Sequence, residues 1–315
     1  MDKESILVSV LLPVYNAAAT VRESIDSILA QTLTDFEFII INDGSTDNSE
    51  EIILSYEDER IRYYSNDGNK GLIYTLNRGI ELSQGKYIAR MDADDIAYPE
   101  RLEKQIEIME KSPDIVVCGT RIRGFGNIGE KGFKYVVKES SEEIKRQLVI
   151  NSSITHPTAV IKRQVLIDYD IRYDKEYLHA EDYRLWVELS KYGSFYNVPE
   201  VLLDYRISDT QVSTKWHSTQ VETAKRCRRD YISNLYVGSD ISDDLEKGII
   251  TVRTIRELKR SVYYNEVLET FYMSLARYSI KELSYFIFSF DWLKFKLITN
   301  FAIFKRFIRG KNPVI

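Results

Sequence analysis

The stretch YIARMDADD, residues 87–95, is the most informative part of the sequence for the fold class. Tyr87 to Met91 is mostly apolar and predicts a strand. Asp92, Asp94 and Asp95 follow this strand directly. In open α/β sheets, ligands bind beyond the carboxyl ends of the strands. The position of these carboxylates therefore favours a functional site over a solvated turn.

The residues before this stretch repeat a strand–helix pattern. Ile6 to Leu12 and Phe36 to Ile41 are nearly continuous apolar runs rich in β-branched residues, as expected for strands covered on both faces of a parallel sheet. Apolar residues at helical spacing from Val21 to Leu29 predict a helix between them and complete a β-α-β unit. A strand at Ile61 to Tyr64 and a helix at Leu72 to Leu82 continue the pattern. We predict an α/β fold.

The elements expected beyond residue 95 extend this domain. They are a helix opening near Pro99, a strand at Ile115 to Gly119, a glycine-rich connection at Gly124 to Gly132, helices at Ser141 to Ile150 and Glu181 to Tyr192, and a strand at Leu202 to Tyr205. From Trp216 the sequence favours helix throughout. We therefore expect an α/β domain over residues 1–213 and a helical region over residues 214–315, since one core rarely grows beyond about 250–300 residues.

Composition excludes several classes of protein. The net charge of -5 argues against a nucleic-acid binder, which would show a basic excess. Cys118 and Cys227 are the only cysteines and lie far apart, so neither a zinc site nor a disulfide framework is indicated. The apolar run from Ile6 to Val14 is too short for a signal peptide or a membrane span. We expect the α/β domain to lie in the cytoplasm.

The last residues have a different character from the rest of this acidic chain. From Arg277 onward there are eight lysines and arginines against two acidic residues, and aromatic side chains are interleaved with them. Such composition favours a peripheral helix on an anionic membrane surface, here the inner face of the cell membrane. A helical hairpin packed on the domain and a homodimer interface remain alternatives.

Asp92 and Asp94 have the chemistry needed to bind a divalent cation. Mg²⁺ and Mn²⁺ prefer carboxylate and phosphate oxygens, and a bound cation can neutralise the charge of a departing diphosphate. A bare pair of aspartates is nevertheless a weak signal, because acidic clusters are common on protein surfaces. Their place at the end of a predicted strand strengthens the interpretation.

Five ordered motifs give a more specific indication. They are SVLLPVYN at residues 9–16, IINDGSTD at residues 40–47, NKG at residues 69–71, NRG at residues 77–79 and MDADD at residues 91–95. Together they resemble the signatures of inverting glycosyltransferase family 2, which includes many bacterial capsule and O-antigen enzymes. The resemblance covers about residues 5–210. It implies a GT-A fold, a Rossmann-like mixed sheet, followed here by a C-terminal helical extension.

The resemblance also implies an activity and a donor site. The protein would be a metal-dependent hexosyltransferase that uses a UDP-sugar, with six residues at the donor and its Mn²⁺ or Mg²⁺ ion: Pro13, Tyr15, Asp43, Lys70, Asp92 and Asp94. Asp43 would accept a hydrogen bond from the uracil N3–H, and Lys70 would lie near the diphosphate. Asp94 would be the principal metal ligand, with Asp92 facing the ribose or the metal.

A second acidic motif is expected on the acceptor side. HAEDYRLW, residues 179–186, resembles the family segment in which an aspartate at a helix start is the general base, and Asp182 is the matching residue. The alternative is that Asp182 only stabilises the positive end of the helix dipole. His156 lies in another family-like segment, and its role is open. Relatives carry a histidine after the Tyr205-Arg206 pair, and His217 is the candidate to replace it.

Competing functions are less consistent with these motifs. A sugar nucleotidyltransferase needs a glycine-rich loop with a basic residue after the first strand, where this chain has Pro13 to Ala17. A non-catalytic nucleotide-sugar-binding or membrane-scaffold protein is expected to have lost an acidic motif, and both are intact. A processive synthase needs membrane spans of about 20 apolar residues, which the sequence lacks. We expect a saccharide or polyprenyl-diphosphate-linked saccharide acceptor in surface polysaccharide synthesis.

Overall fold

Strands and helices alternate in the computed structural model, which describes residues 6–127, 133–135, 137–208 and 217–235. The strands are β1 Val8–Val14, β2 Phe36–Asn42, β3 Ile61–Ser65, β4 Tyr87–Arg90, β5 Ile96–Ala97, β6 Ile115–Gly126, β7 Phe133–Tyr135, β8 Val160–Lys162 and β9 Ser194–Ile207. The α-helices are α1 Val21–Leu29, α2 Ser49–Leu54, α3 Leu72–Leu82, α4 Arg101–Lys111, α5 Ser141–Gln147, α6 Arg163–Asp168, α7 Glu181–Leu189 and α8 His217–Leu235. Two short 3-10 helices occupy His156–Thr158 and Lys175–Tyr177.

One mixed sheet joins the described strands. Its order is β3-β2-β1-β4-β8-β6-β9-β5, and β7 also pairs with β6. Strands β1 to β4 are parallel to their neighbours within that group. Strand β8 runs antiparallel to β4 and β6, whereas β6 and β9 are parallel to each other. The α/β fold class and the mixed sheet are confirmed.

The core lies on both faces of the first strands. Every residue of β1 and β2 is buried, as their continuous apolar runs predicted. Helix α1 covers one face with Val21, Ile25 and Ile28, which recur at helical spacing and are buried. Fully burying one such aliphatic side chain contributes about 1.5–3 kcal/mol, so this face anchors the loops at the carboxyl ends of the strands.

Several boundaries differ from the predictions. Strand β1 continues to Val14, so Pro13 lies in the strand and not in the turn that follows. The pairing of β1 with β4 ends at Leu11, and Pro13 therefore needs no amide hydrogen on that side. Strand β6 continues to Gly126, because β9 pairs with it along its length and supplies the order that a glycine-rich sequence lacks.

Other differences concern short or long elements. The sequence did not indicate β5 and β8, because two or three residues are too few to establish a period of two. Strand β9 begins at Ser194, eight residues before the expected Leu202, since its pairing with β6 outweighs the mixed polarity of residues 194–201. Helices α5 and α7 each end three residues before the expected limits.

The chain divides into two compact units, Met1–Cys227 and Arg228–Ile315. The expected boundary near residue 213 stays a prediction. The basic, aromatic segment from residue 277 to 315 lies outside the described residues. Among the helices that the structure describes, none is long and apolar enough to cross a membrane.

Candidate active site

The loops after β1 and β2 meet at the carboxyl edge of the sheet. Val14 and Asn42, the last residues of these strands, are in register, and the Asp43 amide donates to the Val14 carbonyl at 2.7 Å. Pro13 is buried within β1, whereas Tyr15 is 48% exposed just beyond it. Two of the residues expected at the nucleotide, Tyr15 and Asp43, thus come from neighbouring loops.

Side chains lock these two loops together. Asn16 has a left-handed φ of 49°, its Oδ1 accepts from the Thr46 amide at 2.8 Å, and its own amide donates to Ser45 Oγ at 3.0 Å. Asp47 Oδ2 accepts from the Ala18 amide at 3.0 Å. Burial acts to raise the pKa of Asp47, but hydrogen bonds from Ser49 and Ala18 lower it overall, so this carboxylate is ionised in its role as a loop tie.

The loop after β3 packs closely against the loop after β2. Gly44 has a φ of 70°, and a Cβ on it would lie 2.5 Å from the Gly68 carbonyl carbon. Only glycine permits both the left-handed backbone and this approach. The contact brings residues 66–71 over Asp43.

Asp43 accepts three hydrogen bonds from that loop. Its Oδ1 accepts from Asn66 Nδ2 at 2.7 Å and from the Lys70 amide at 2.9 Å, and its Oδ2 accepts from the Gly71 amide at 2.8 Å. A carboxylate has about four acceptor positions, so within the part of the chain that the structure describes one position is open, on Oδ2. Asp43 is 4% exposed. Lys70 contacts it through the main chain, while the lysine side chain is exposed.

Three carboxylates gather after β4. One oxygen from each of Asp92, Asp94 and Asp95 lies within 4.8 Å of the other two. Burial and the charge of Asp92 raise the pKa of Asp94 to about 6, and burial with both neighbouring charges raises that of Asp95 well above its usual range. Asp95 Oδ2 is buried, and among the described residues it has no hydrogen-bond partner. Asp92 and Asp94 were predicted from the sequence as metal ligands, whereas Asp95 was not, although its position next to Asp94 was the available signal.

These carboxylates suit a divalent cation. Hard cations such as Mg²⁺ and Mn²⁺ bind carboxylate oxygens, and a cation would offset the burial and the mutual repulsion that raise the pKa values of Asp94 and Asp95. The partnerless Asp95 Oδ2 is a further free ligand atom. The residues present therefore fit the metal that the resemblance implied.

Neighbouring arginines hold the acidic loop in place. Buried Arg90 forms an ion pair with Asp92. The Arg206 amide donates to Asp95 Oδ1 at 2.9 Å, and Arg206 Nε donates to the Asp94 carbonyl at 2.7 Å. Arg206 lies on β9, so the strand that the sequence predicted only in part supplies an anchor for the loop after β4.

The second acidic motif begins α7. Asp182 Oδ1 accepts from the Tyr183 amide at 2.7 Å, which orients the carboxylate at the helix start. Burial raises the pKa of Asp182 to about 6, while the Arg90 charge opposes the increase and the Asp92 charge adds to it. The buried neighbour Glu181 has a pKa raised to about 7 by burial and by Asp182.

The sequence left the roles of two histidines open, and the structure describes the side chain of His156 but not that of His217. His156 Nε2 and the Tyr173 hydroxyl are 2.8 Å apart, and the His156 ring meets Trp186 of α7 edge-on at a centroid distance of 6.1 Å. Burial and the Arg90 charge hold the pKa of His156 well below its usual range, so the ring is neutral. His156 thus lies beside α7 as a hydrogen-bonded group. The His217 side chain lies outside the described residues, and its proposed role is untested.

The chain belongs to glycosyl transferase family 2, whose model matches residues 9–170. It is 36% identical over 324 residues to an uncharacterized glycosyltransferase of Haemophilus influenzae, with 98% of each chain covered. Crystallised S. aureus TarS 1–349 in complex with UDP is 18% identical, with a TM-score of 0.59 over 89% of this chain and 78% of the other. Mannosyltransferase PcManGT of Pyrobaculum calidifontis, in complex with GDP-Man and Mn²⁺, is 12% identical, with a TM-score of 0.54 over 97% and 88%. The protein is a glycosyltransferase, and its fold is of the GT-A type.

Proposed function

We propose that this glycosyltransferase moves a hexose or N-acetylhexosamine from a UDP-sugar to an acceptor hydroxyl with inversion at the anomeric carbon. The observation that carries the proposal is the pair of acidic motifs: Asp92, Asp94 and Asp95 lie together after β4, and Asp182 is held at the start of α7 by the Tyr183 amide. One motif can serve a nucleotide diphosphate, and the other can serve an incoming hydroxyl.

In the proposed reaction, Asp182 acts as the general base. Its carboxylate takes the proton of the acceptor hydroxyl while that oxygen bonds to the anomeric carbon. The bond from this carbon to the diphosphate oxygen breaks, and its electron pair leaves with the nucleotide diphosphate. Attack opposite the leaving group inverts the configuration. A positioned base of this kind contributes typically about 10²–10⁴-fold to the rate.

The leaving diphosphate is proposed to bind at the carboxylates after β4. Asp94, with Asp92 and Asp95, would hold Mn²⁺ or Mg²⁺, which supplies charge neutralisation for the departing diphosphate when bound. Arg206 keeps the Asp94 main chain in place. The Mn²⁺ in the complex of PcManGT supports this assignment by analogy of fold.

The base of the donor is proposed to bind between Tyr15 and Asp43. The exposed Tyr15 ring can cover a nucleobase, Asp43 Oδ2 can accept from an imino N–H, and Lys70 is the candidate to reach the diphosphate. UDP and UDP-GlcNAc in the TarS complexes support a UDP-sugar. Pro13, which is buried, would shape the pocket from beneath.

A donor panel tests the proposed activity. The full chain is incubated with Mn²⁺, UDP-, GDP-, CDP- and dTDP-sugars and a set of saccharide acceptors, and products are measured by mass spectrometry. We expect a mass increase of one hexosyl or N-acetylhexosaminyl unit with a UDP-sugar. Transfer from the other nucleotide sugars alone would contradict the proposed donor class.

The pH dependence of the rate follows from the pKa of Asp182. Burial raises that pKa to about 6. A base must be ionised to accept a proton, so kcat/KM for the acceptor should be level above about pH 7 and fall tenfold per pH unit below about pH 6. The limb is measured between pH 5 and 8 at saturating donor. Protons also compete with the metal at Asp94, so the profile is repeated at tenfold higher Mn²⁺. A limb that moves with the Mn²⁺ concentration would contradict its assignment to Asp182.

The C-terminal segment from Arg277 is proposed to bind an anionic membrane surface. Its eight cations would each contribute about 1 kcal/mol near such a surface, and an acceptor carried on a polyprenyl diphosphate lies at the same membrane. Liposome flotation would compare the full chain with a chain ending at Ala276, on anionic and neutral vesicles at low and high salt. We expect salt-sensitive flotation of the full chain alone. Equal behaviour would favour a packed hairpin or a homodimer interface, and sedimentation would separate these two.

A further inference from the structure

The NRG motif at residues 77–79 has no part in the proposed reaction, yet its middle residue lies next to the nucleotide pocket. Arg78 on α3 donates from Nη1 to the Ser65 carbonyl at 2.7 Å and to Asn66 Oδ1. Asn66 is 7% exposed and is the residue that donates to Asp43. Arg78 is therefore linked to Asp43 by hydrogen bonds through one side chain, that of Asn66.

The hydrogen bonds of Asn66 allow one orientation of its amide. Its Nδ2 donates to Asp43 Oδ1 at 2.7 Å and to Thr75 Oγ1 at 2.9 Å, while its Oδ1 accepts from Arg78. A flipped amide would place its oxygen against the Asp43 carboxylate and its NH₂ against the guanidinium. Both contacts would be repulsive, because each would oppose two acceptors or two donors.

We propose that Arg78, acting through Asn66, is a positioning residue that directs the one open acceptor position of Asp43 toward the nucleobase and so selects bases with an imino N–H. The inference rests on the proposed UDP-sugar donor and adds to it the origin of base selectivity. Uracil presents N3–H to an acceptor at this position. Cytosine presents an unprotonated N3, which would face the carboxylate with no hydrogen between the two atoms.

The expected effects follow from the order that Arg78 and Asn66 impose. If the Asp43 carboxylate must be immobilised when the nucleotide binds, the affinity for the nucleotide should fall by about five- to tenfold. A pocket in which the acceptor is already fixed should bind a base that presents a second acceptor about 10²-fold more weakly. Arg78→Gln and Asn66→Leu should each raise the KM for the UDP-sugar about five- to tenfold, with a smaller change in kcat. Each should also reduce the preference for UDP over CDP about tenfold.

The experiment measures UDP and CDP binding to the full chain by calorimetry in the presence of Mn²⁺, together with the KM and kcat for the UDP-sugar. Arg22→Gln is the matched control, because Arg22 is an exposed arginine on α1 that lies over an aromatic ring at 5.7 Å, much as Arg78 lies over Tyr64 at 5.8 Å. The control should retain the wild-type UDP:CDP ratio. Arg78→Lys, which keeps a charged donor, should restore part of it.

A double variant tests whether Arg78 acts through Asn66. If it does, Arg78→Gln combined with Asn66→Leu should lose no more selectivity than Asn66→Leu alone. A loss of stability alone would lower both affinities and leave their ratio unchanged. If the wild-type protein preferred UDP and both folded single variants kept the same ratio of UDP to CDP affinity, this inference would be overturned. The proposed donor would then still stand. A wild-type protein that preferred CDP would overturn the donor class itself.

Discussion

Asp182→Asn is expected to lower the rate of sugar transfer by at least about 10²-fold while donor affinity stays roughly intact. Asparagine keeps the shape of the side chain and can still accept from the Tyr183 amide, now 2.7 Å from Asp182 Oδ1. An amide cannot take the proton of the acceptor hydroxyl, so the loss should appear in kcat. Steady-state kinetics at saturating donor and calorimetry of UDP binding measure the two quantities.

Two further variants interpret this result. Glu188→Gln changes a half-buried carboxylate near the other end of the same helix, which pairs with Arg184 and Lys191 and has no part in the proposed reaction, so activity should be retained. Asp43→Ala should weaken nucleotide binding instead of the chemical step. If Asp182→Asn lost as much donor affinity as Asp43→Ala, the division of roles between the two motifs would be wrong.

Asp94→Ala is expected to abolish detectable transfer, as is chelation with excess EDTA. The carboxylates of Asp92, Asp94 and Asp95 lie together, and burial with the charge of Asp92 raises the pKa of Asp94, so a bound cation would stabilise the ionised cluster. Removal of the principal ligand should lower both Mn²⁺ affinity and donor affinity. Calorimetry with Mn²⁺, followed by activity assays with and without added metal, measures both.

The control for the metal site is Asp35→Ala. Asp35 is exposed just before β2, at the opposite edge of the sheet from the acidic loop, and its loss should leave Mn²⁺ binding unchanged. Activity lost in EDTA should return when Mn²⁺ or Mg²⁺ is restored to the wild-type protein. Full activity in excess EDTA would contradict a metal-dependent reaction.

The first half of the fold could be predicted closely because its signals are local. Continuous apolar runs define β1 and β2, and apolar residues at a spacing of three to four define α1 and α3, within one or two residues of their observed limits. The Asp92 to Asp95 cluster follows β4 directly, and its position at the sheet edge requires only that the strands be parallel. Family membership and the fold inferred from the motifs were confirmed.

Predictions were weaker where order depends on a distant partner. Strand β9 has mixed polarity, and its full length exists because it pairs with β6 over eleven positions. The glycines at the end of β6 likewise predicted a loop, because glycine is typical of turns and the pairing with β9 is not visible in the local sequence. The periodicity of residues within β6 or within β9 does not indicate that the two strands pair, so the length of neither could be inferred from the sequence.

What the sequence determined by itself is the family and the order of the strands and helices from β1 to β4. It also supplied the residues that are proposed for the donor, the metal and the acceptor. Tertiary structure decided how those residues are held. Arg206 and Asp95 share a hydrogen bond although they are 111 residues apart in the sequence. Asn77 and Tyr173 likewise share one at a separation of 96 residues, and Tyr173 in turn contacts His156. Such contacts depend on which strands become neighbours in the sheet. The pairing of strands depends on packing of the whole domain. Side-chain chemistry and local periodicity do not indicate which distant residues will be close in space.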